Sequence, residues 1–487
     1  MKINSRPLLT ALICIGGCAV STAYADRVFP AWVQVYDTTV NRSQFARAVA
    51  LDSRGNVAVT GYIIDQSGTQ ALYVAKYDTL NGSPDDDPQG KLIWEKTFRP
   101  LTNTAEGKAV VCDSEGNVIV TGWLNTANNQ RDYITIKYSA ADGSILWSKS
   151  YNNPLQNGGD EGLKVTVDSA DNVIVTGKSQ GDGTNEDIYT IKYLENGDFS
   201  WARRYNHPGN RNDFPSAIAV DSNNNVVVAG SADATAGAAR FYTAKYRGSD
   251  GANNVAGAWE KIAESGAQGV TDMVVDGAGN VIVTGTSYIS SNFNKDIQTI
   301  KYQSATGTVA WTRVYPSLET KSWSGVAVDG NGDVFVTGTS GAGINGRRIY
   351  TTKYSGVNGA TVVSFGEQFS PGADFDDEAI GIAVDPAGNP VVIGRSDSES
   401  DDFQNEFYIA RYSGTDGSVR PEERFTFNGN DSGGDDLPVA IAMDRFGGFA
   451  VVGTVKKPRA SDNLFYSAIA TIKFNRLLAV TGDSVSG

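Results

Sequence analysis

The residues best equipped for chemistry are carboxylates and cations, and most of them recur. One cation stands at an equivalent position in eight segments: Lys76, Lys137, Lys192, Lys245, Lys301, Lys353, Arg411 and Lys473. Upstream of each stands an aspartate: Asp52, Asp113, Asp168, Asp221, Asp276, Asp329, Asp385 and Asp444. A ring of eight cations could bind an anion. A matching set of eight carboxylates instead predicts hydrogen bonds or ion pairs repeated within the fold, since a repeat places like residues in like surroundings. The acids that depart from this pattern are the better candidates for function. Asp374, Asp376, Asp377 and Glu378 form one acidic stretch, Asp397, Glu399, Asp401 and Asp402 a second, and Asp431, Asp435 and Asp436 a third. Hard cations take several oxygen ligands, so Asp376, Asp377, Asp435 and Asp436 are the candidate metal site, with calcium the candidate ion. The competing reading is a solvated acidic rim. Asp329-Gly330-Asn331-Gly332-Asp333 resembles a calcium loop but lacks the distal bidentate glutamate, and reads as a turn.

Other chemistries are scarce in this composition. His207 is the only histidine, and Cys14, Cys18 and Cys112 are the only cysteines, which removes multi-histidine metal sites, zinc ribbons and c-type haem. Cys112 lies in an apolar run, Ala109 to Cys112, and reads as a small buried hydrophobe. The formal charge of -14 repels phosphate backbones and anionic lipid, and no local basic stripe offsets it, so a nucleic-acid partner is not expected.

Residues 1–25 have the form of an export signal: Lys2 and Arg6, an apolar stretch from Leu8 to Val20, then Ala23-Tyr24-Ala25 before Asp26. The apolar run is shorter than the roughly 20 residues of a spanning helix, so no membrane span is expected. The expected location is therefore extracellular or periplasmic. Ile15-Gly16-Gly17-Cys18 offers an alternative, a lipoprotein box that would anchor the chain to the outer membrane through Cys18.

The elements that must position these residues follow from the repeat. Val-Asp-x-x-Gly-Asn-Val-x-Val-Thr-Gly recurs around the eight aspartates, with four period-2 segments per unit separated by Gly, Asn and Asp turns. One four-stranded propeller blade needs this much chain. The first strand of each unit is rich in small residues, as in Ala48-Val49-Ala50-Leu51, and is expected innermost. Each aspartate opens a turn in which its carboxylate accepts backbone N–H groups two or three residues on; the third residue after it tolerates left-handed geometry. A glycine nine residues past each aspartate, Gly61 to Gly453, is expected to end the second strand. The fourth strand carries an aromatic five-residue signature, Trp94 to Phe98, Trp147 to Tyr151, Trp201 to Tyr205 and Trp311 to Tyr315. Trp259 keeps the first aromatic only, and the signature degrades to Phe365–Phe369 and Pro421–Phe425. The eighth unit has none, but Trp32 to Tyr36 stands before the first unit as an orphan copy. The fold class is therefore all-β, a single eight-bladed β-propeller of four-stranded blades closed by the N-terminal strand. The expected boundaries are signal 1–25, propeller 26–476 and tail 477–487. Blades begin near 46, 107, 162, 215, 270, 323, 379 and 438, and strand 31–36 completes the last.

The succession of Ala-Val-Asp-x-x-Gly-Asn-Val-x-Val-Thr-Gly, Asp-x-Tyr-x-x-Lys-Tyr and Gly-x-x-x-Trp resembles the SBBP-type beta-propeller repeat of secreted and surface bacterial proteins, over nearly all of residues 27–474. The resemblance implies a propeller and an extracellular or envelope location. The family's Asp-Phe-Pro element after the second strand is missing, and Tyr replaces Leu at the end of the third strand. Asp142 to Trp147 is also similar to the tryptophan-docking repeat of eight-bladed pyrroloquinoline-quinone dehydrogenases. Those enzymes carry an adjacent cysteine pair at the cofactor; this chain lacks one, so no organic cofactor is expected. The function expected is a non-enzymatic binding module, a monomer that recognises a surface polysaccharide or protein through its loops. An envelope-assembly lipoprotein, or a hydrolase or lyase working through loop carboxylates, are the alternatives.

Overall fold

The computed structural model describes residues 27–36, 42–65, 67–79, 91–100, 103–126, 130–153, 158–181, 185–233, 239–263, 267–287, 296–315, 324–340, 347–368, 377–396, 405–427, 435–458 and 465–477. The signal segment and residues 478–487 lie outside them. Those residues form eight four-stranded antiparallel sheets and no helix. Blade 1 is Gln44–Leu51, Val57–Ile64, Gln70–Tyr77 and Leu92–Phe98, and its order is repeated around the ring. The first strands of blades 2 to 8 begin at Ala105, Asp160, Asp213, Ala267, Ser324, Glu378 and Leu437. Each first strand contacts the first strands of both neighbouring blades, including blade 8 against blade 1. They are therefore innermost.

Blade 8 is completed by the chain's beginning. Its third strand, Phe465–Leu477, pairs antiparallel with Arg27–Tyr36, placing Trp32 opposite Lys473. The N-terminal strand is longer than residues 31–36 by four residues at its start. The joint is buried like any other: Trp32, Ala46, Val57, Val59 and Tyr73 share one core cluster with Ala450, Val452 and Ile469. A four-stranded sheet made from both chain ends leaves the ring without an unpaired seam.

Two expectations are corrected. The repeated glycines do not end their strands: Gly61 sits inside Val57–Ile64 and faces Ala46, where the first strand bulges between Ala46 and Ala48. The same bulge recurs between Gly107 and Ala109, Gly162 and Lys164, Pro215 and Ala217, and in blades 5, 7 and 8. It pushes a carbonyl at the second strand, so a Cβ on Gly61 would lie 2.0 Å from the Phe45 oxygen and one on Gly122 1.9 Å from that of Glu106. Backbone proximity, not a left-handed angle, requires glycine here.

The second correction is register in the degraded fourth strands. In blade 1, Trp94 faces Lys76 and Phe98 faces Leu72. In blade 6, Val363 rather than Phe365 faces Lys353, and a bulge follows. In blade 7, Phe427 faces Phe407, so Glu423 stands where the tryptophan belongs, and the aromatic pair is not Pro421–Phe425. Each insertion keeps an aromatic, Phe365 or Phe425, buried at the blade interface.

Candidate functional site

The order of strands puts the first-to-second and third-to-fourth turns on one face of the ring, here the turn face, and the other connections on the loop face. The eight aspartates lie in the turn face. Asp52 Oδ1 accepts the backbone N–H groups of Arg54 and Asn56, both at 2.9 Å, two and four residues on. Its Oδ2 accepts Asn56 Nδ2 at 2.8 Å and pairs with Lys76 Nζ at 2.9 Å. Glycine at φ +84° in residue 55, aspartate at +57° in residue 171 and asparagine at +61° in residue 224 close these turns, as the tolerant types at that position imply.

The cation pairs with the aspartate in every blade. Lys137–Asp113, Lys192–Asp168, Lys245–Asp221 and Lys301–Asp276 close at 2.9, 2.7, 2.7 and 2.8 Å, and Lys353–Asp329, Arg411–Asp385 and Lys473–Asp444 at 3.1, 2.6 and 3.0 Å. None of these eight cations is left free to line a channel. Burial alone would raise the Asp221 carboxyl, but hydrogen bonds from Lys245 and Asn225 hold it below the ordinary carboxylate range; Asp52, Asp168 and Asp276 behave alike. Asp329 uses Oδ1 for Asn331 and Asp333 N–H at 2.9 Å, so the calcium-like stretch is the shared turn.

The cation also ties one blade to the next. Lys192 Nζ reaches the Gly248 carbonyl in blade 4 at 2.8 Å, and Trp201 Nε1 donates to that same oxygen at 3.0 Å. Gly251, at φ +71°, lies over the indole so closely that a Cβ would approach ring carbon at 2.7 Å. Trp94, Trp147, Trp259 and Trp311 dock equivalently on the carbonyls of Ala140, Glu195, Ser304 and Gly356.

Blade 7 breaks the pattern. Glu423 replaces the indole and Arg411 replaces the lysine, bound between Asp385 (2.6 Å) and Glu423 (2.9 Å). All three are buried. The cause lies next door: the third strand of blade 8 runs on to Leu477 with Val28 opposite Arg476, so it makes no turn whose carbonyl could receive an indole. A cavity of about 240 Å3, lined by Arg411, Glu423, Asn389, Ser413, Asp416 and Ser418, opens there. The sequence signal was present: Arg411 is the one arginine among the eight cations, and Glu423 precedes Phe427 by the spacing that separates Trp94 from Phe98.

The proposed cation ligands are placed differently. Asp376 lies outside the described residues. Asp377 and Asp436 are buried immediately before the first strands of blades 7 and 8, at the position that Asp160 and Asp213 hold in blades 3 and 4. There the aspartate is a repeated strand-end cap: Asp436 Oδ1 accepts Lys456 N–H at 2.8 Å as Asp213 Oδ1 accepts Asp233 N–H at 3.1 Å. Asp435 is exposed and holds Asn405 through its backbone and side-chain N–H groups at 3.1 and 2.9 Å. Among the described residues, no three His, Cys, Asp or Glu side chains are grouped to hold a metal ion.

The loop-face strand ends contain titratable groups that the repeat pattern did not single out. Burial, together with the charge of Asp160, pushes Asp132 up to about 6. Burial and the charges of Asp187 and Asp233 push Asp213 up to about 6, against hydrogen bonds from the backbone N–H groups of His207 and Asp233. Both carboxyls are held above the ordinary carboxylate range. Cys112 packs against the apolar interface of blades 1 and 2, and burial pushes its thiol up to about 12. Its half-buried position thus disfavours the ionised, nucleophilic form.

No protein-family model matches the sequence, and no curated protein matches it. Solved structures are similar to it at low identity. The quinohemoprotein alcohol dehydrogenase of Comamonas testosteroni is similar with a TM-score of 0.50 and 11% identity, over 92% of this chain and 76% of that one. A second quinohemoprotein alcohol dehydrogenase, from Pseudomonas putida HK5, gives 0.49 and 10% over 92% and 76% of the two chains. A europium-containing methanol dehydrogenase gives 0.49 and 10% over 92% and 93%. At 11% identity the likeness to the first of these is one of fold alone. The chain is an eight-bladed β-propeller.

Proposed function

We propose that the protein is an exported binding module that recognises a surface polymer, polysaccharide or protein, through its loop face, and that it is of the SBBP type. The observation that carries this reading is a contrast of lengths. Every first hairpin is joined by five residues, from Asp52–Asn56 to Asp444–Gly448, whereas three loop-face connections reach nine residues: 369–377, 397–405 and 428–436. All three adjoin blade 7, and all are acidic. The first hairpins are constant, while length varies in the other connections, including 78–91 and 247–258 on the turn face; the three beside blade 7 gather around a single blade, and variable loops are where propellers place recognition. The repeated aspartates and cations of the turn face are already engaged with one another.

The test is to shorten each nine-residue connection to the five-residue Gly181–Asn185 connection of blade 3 and to measure binding to panels of surface polysaccharides and envelope proteins. Binding lost with an unchanged melting temperature supports the reading. A parent that binds no panel member, or shortened variants that bind like the parent, overturns it. Intact mass in the soluble and membrane fractions separates the two export routes: a chain starting at Asp26 in the soluble fraction, or a lipidated chain starting at Cys18 in the membrane.

A further inference from the structure

We propose that a cleft on the opposite, turn face, between blades 5 and 6, is a second binding site for an uncharged, hydroxyl-rich sugar unit. The inference starts from how neighbouring turns meet. At the junction of blades 2 and 3, Ser114 donates its backbone N–H to Asp171 at 2.9 Å and its hydroxyl at 2.5 Å. At the next junction, Ser169 N–H donates to Asn224 Oδ1 at 3.0 Å, and Asn224 Nδ2 returns a bond to Ser169 Oγ at 2.8 Å. Other junctions lack this clasp but close by contact: a Cβ on Gly116 would meet Asp52 at 3.0 Å, and one on Gly388 would meet Asp329 at 3.6 Å.

The junction of blades 5 and 6 does neither. Gly277 stands where the serine would be and Gly332 where the aspartate would be, and a Cβ on either meets nothing within 4 Å. Both halves of the clasp are deleted, and the turns stand apart. The resulting cleft is about 470 Å3 and is lined by Asp276, Lys301, Gln303, Asn331, Gly332 and Val357, among others. That lies within the usual range for small-molecule sites, roughly 300–1,000 Å3.

The lining defines the ligand class. Asp276 and Lys301 neutralise each other at 2.8 Å, and Lys301 also donates to the Gly356 carbonyl at 2.8 Å, so the floor offers no uncompensated charge. An ionic ligand would find no counter-ion there. Gln303 and Asn331 are exposed, and their side-chain amides make no hydrogen bond among the described residues. Each amide both donates and accepts, which matches hydroxyl groups that do the same. Val357, 88% exposed, is the largest apolar side chain of the lining, beside Ala278 and Ala310, and can cover the C–H face of a sugar ring. Glycine walls let the ligand approach the turn backbone.

The experiment is saturation-transfer NMR on the full-length protein with uncharged probes: cellobiose, maltose, lactose and N,N′-diacetylchitobiose, with glucuronate and glucosamine as charged controls. The parent is expected to show transfer to at least one uncharged probe and weaker transfer to both controls. Gly277→Ser with Gly332→Asp rebuilds the clasp of blades 2 and 3, whose Asp171 holds φ +57° at the equivalent position. This pair is expected to weaken binding at least tenfold while the melting temperature holds. Gln303→Ala, which leaves the turns intact, is expected to weaken it about fivefold. Variants with shortened loop-face connections should keep the signal, so failure here and failure of the loop-face reading are distinguishable. No transfer to any uncharged probe, stronger transfer to a charged control, or parent-like binding by the rebuilt pair would each overturn the proposal.

Discussion

The junction of blades 3 and 4 and the junction of blades 7 and 8 solve the same problem with opposite chemistry. In the first, an indole and a lysine from one blade converge on the Gly248 carbonyl of the next. In the second, the next blade offers no turn, and the cation is satisfied inside its own blade by two carboxylates, Asp385 and Glu423. A buried cation must be paired wherever it sits. The partner therefore changes with topology, while the cation itself persists in all eight blades. Closing the ring with the N-terminal strand removes the sheet edge, and its consequence is one junction without a docking turn.

That contrast is broken most severely by removing the closing strand. Deleting residues 26–36 takes away Trp32 and the whole pairing partner of Phe465–Leu477. The expected outcome is loss of a single cooperative melting transition together with concentration-dependent association through the bared edge. Calorimetry and light scattering check it; a truncated chain that melts like the parent and stays monodisperse would show that the ring closes by some other means.

Next in size are the buried ion pairs. Asp221→Ala strands Lys245, whose side chain is 2% exposed, and removing one partner of a buried pair typically costs about 3–5 kcal/mol. Glu423→Gln is the sharpening counterpart: Asp385 still holds Arg411, so the expected cost is smaller, about 1–2 kcal/mol. Denaturant unfolding of both variants checks the order. Equal losses would mean that the carboxylate at 423 is as necessary as the repeated aspartates.

Indole truncation comes third and separates docks that look identical in sequence. Trp201→Ala empties a site only 5% exposed and should cost about 3–4 kcal/mol. Trp147, only partly buried although it makes the same bond to a turn carbonyl at 3.0 Å, should cost about half as much. The comparison needs chemical melts of the two variants side by side; a larger loss for Trp147→Ala would show that the hydrogen bond outweighs ring burial.

These features differ in how visible they were in the chain. The blade count, the closing strand and the Asp–Lys pairing were legible because each recurs, and a recurring residue reports a shared environment. The left-handed turn residues were legible too, since Asp171 and Asn224 stand among glycines. The bulge was not: Gly61 looked like a strand end, because the carbonyl that excludes its side chain belongs to another strand. Glu423 was obscured by a register shift, for the two-residue insertion of blade 7 displaces the eye from Phe427 to Phe425. Asp377 and Asp436 looked like variable loop acids because their equivalents, Asp160 and Asp213, are replaced by Gln44 and Ala105 in blades 1 and 2. The open turns of blades 5 and 6 needed geometry, since glycine is also the common residue at turns that close.

The smallest effect sets the two faces against each other through pH. On the turn face, Asp52, Asp168, Asp221 and Asp276 ionise more readily folded than unfolded, so their contribution is full above the unfolded value near 4 and is lost on further acidification. On the loop face, Asp132 is pushed up to about 6. The folded chain then holds a proton that the unfolded chain releases, so stability falls as pH rises from about 4 to about 6 and stays low above that. Asp132→Asn removes this limb alone. It is expected to stabilise the protein by on the order of 1–2 kcal/mol at pH 8 and by almost nothing at pH 4. Melting temperatures of parent and variant across pH 3–8 should therefore coincide in acid and diverge above pH 6. A gain that is the same at every pH would assign the effect to packing around residue 132 and not to its proton.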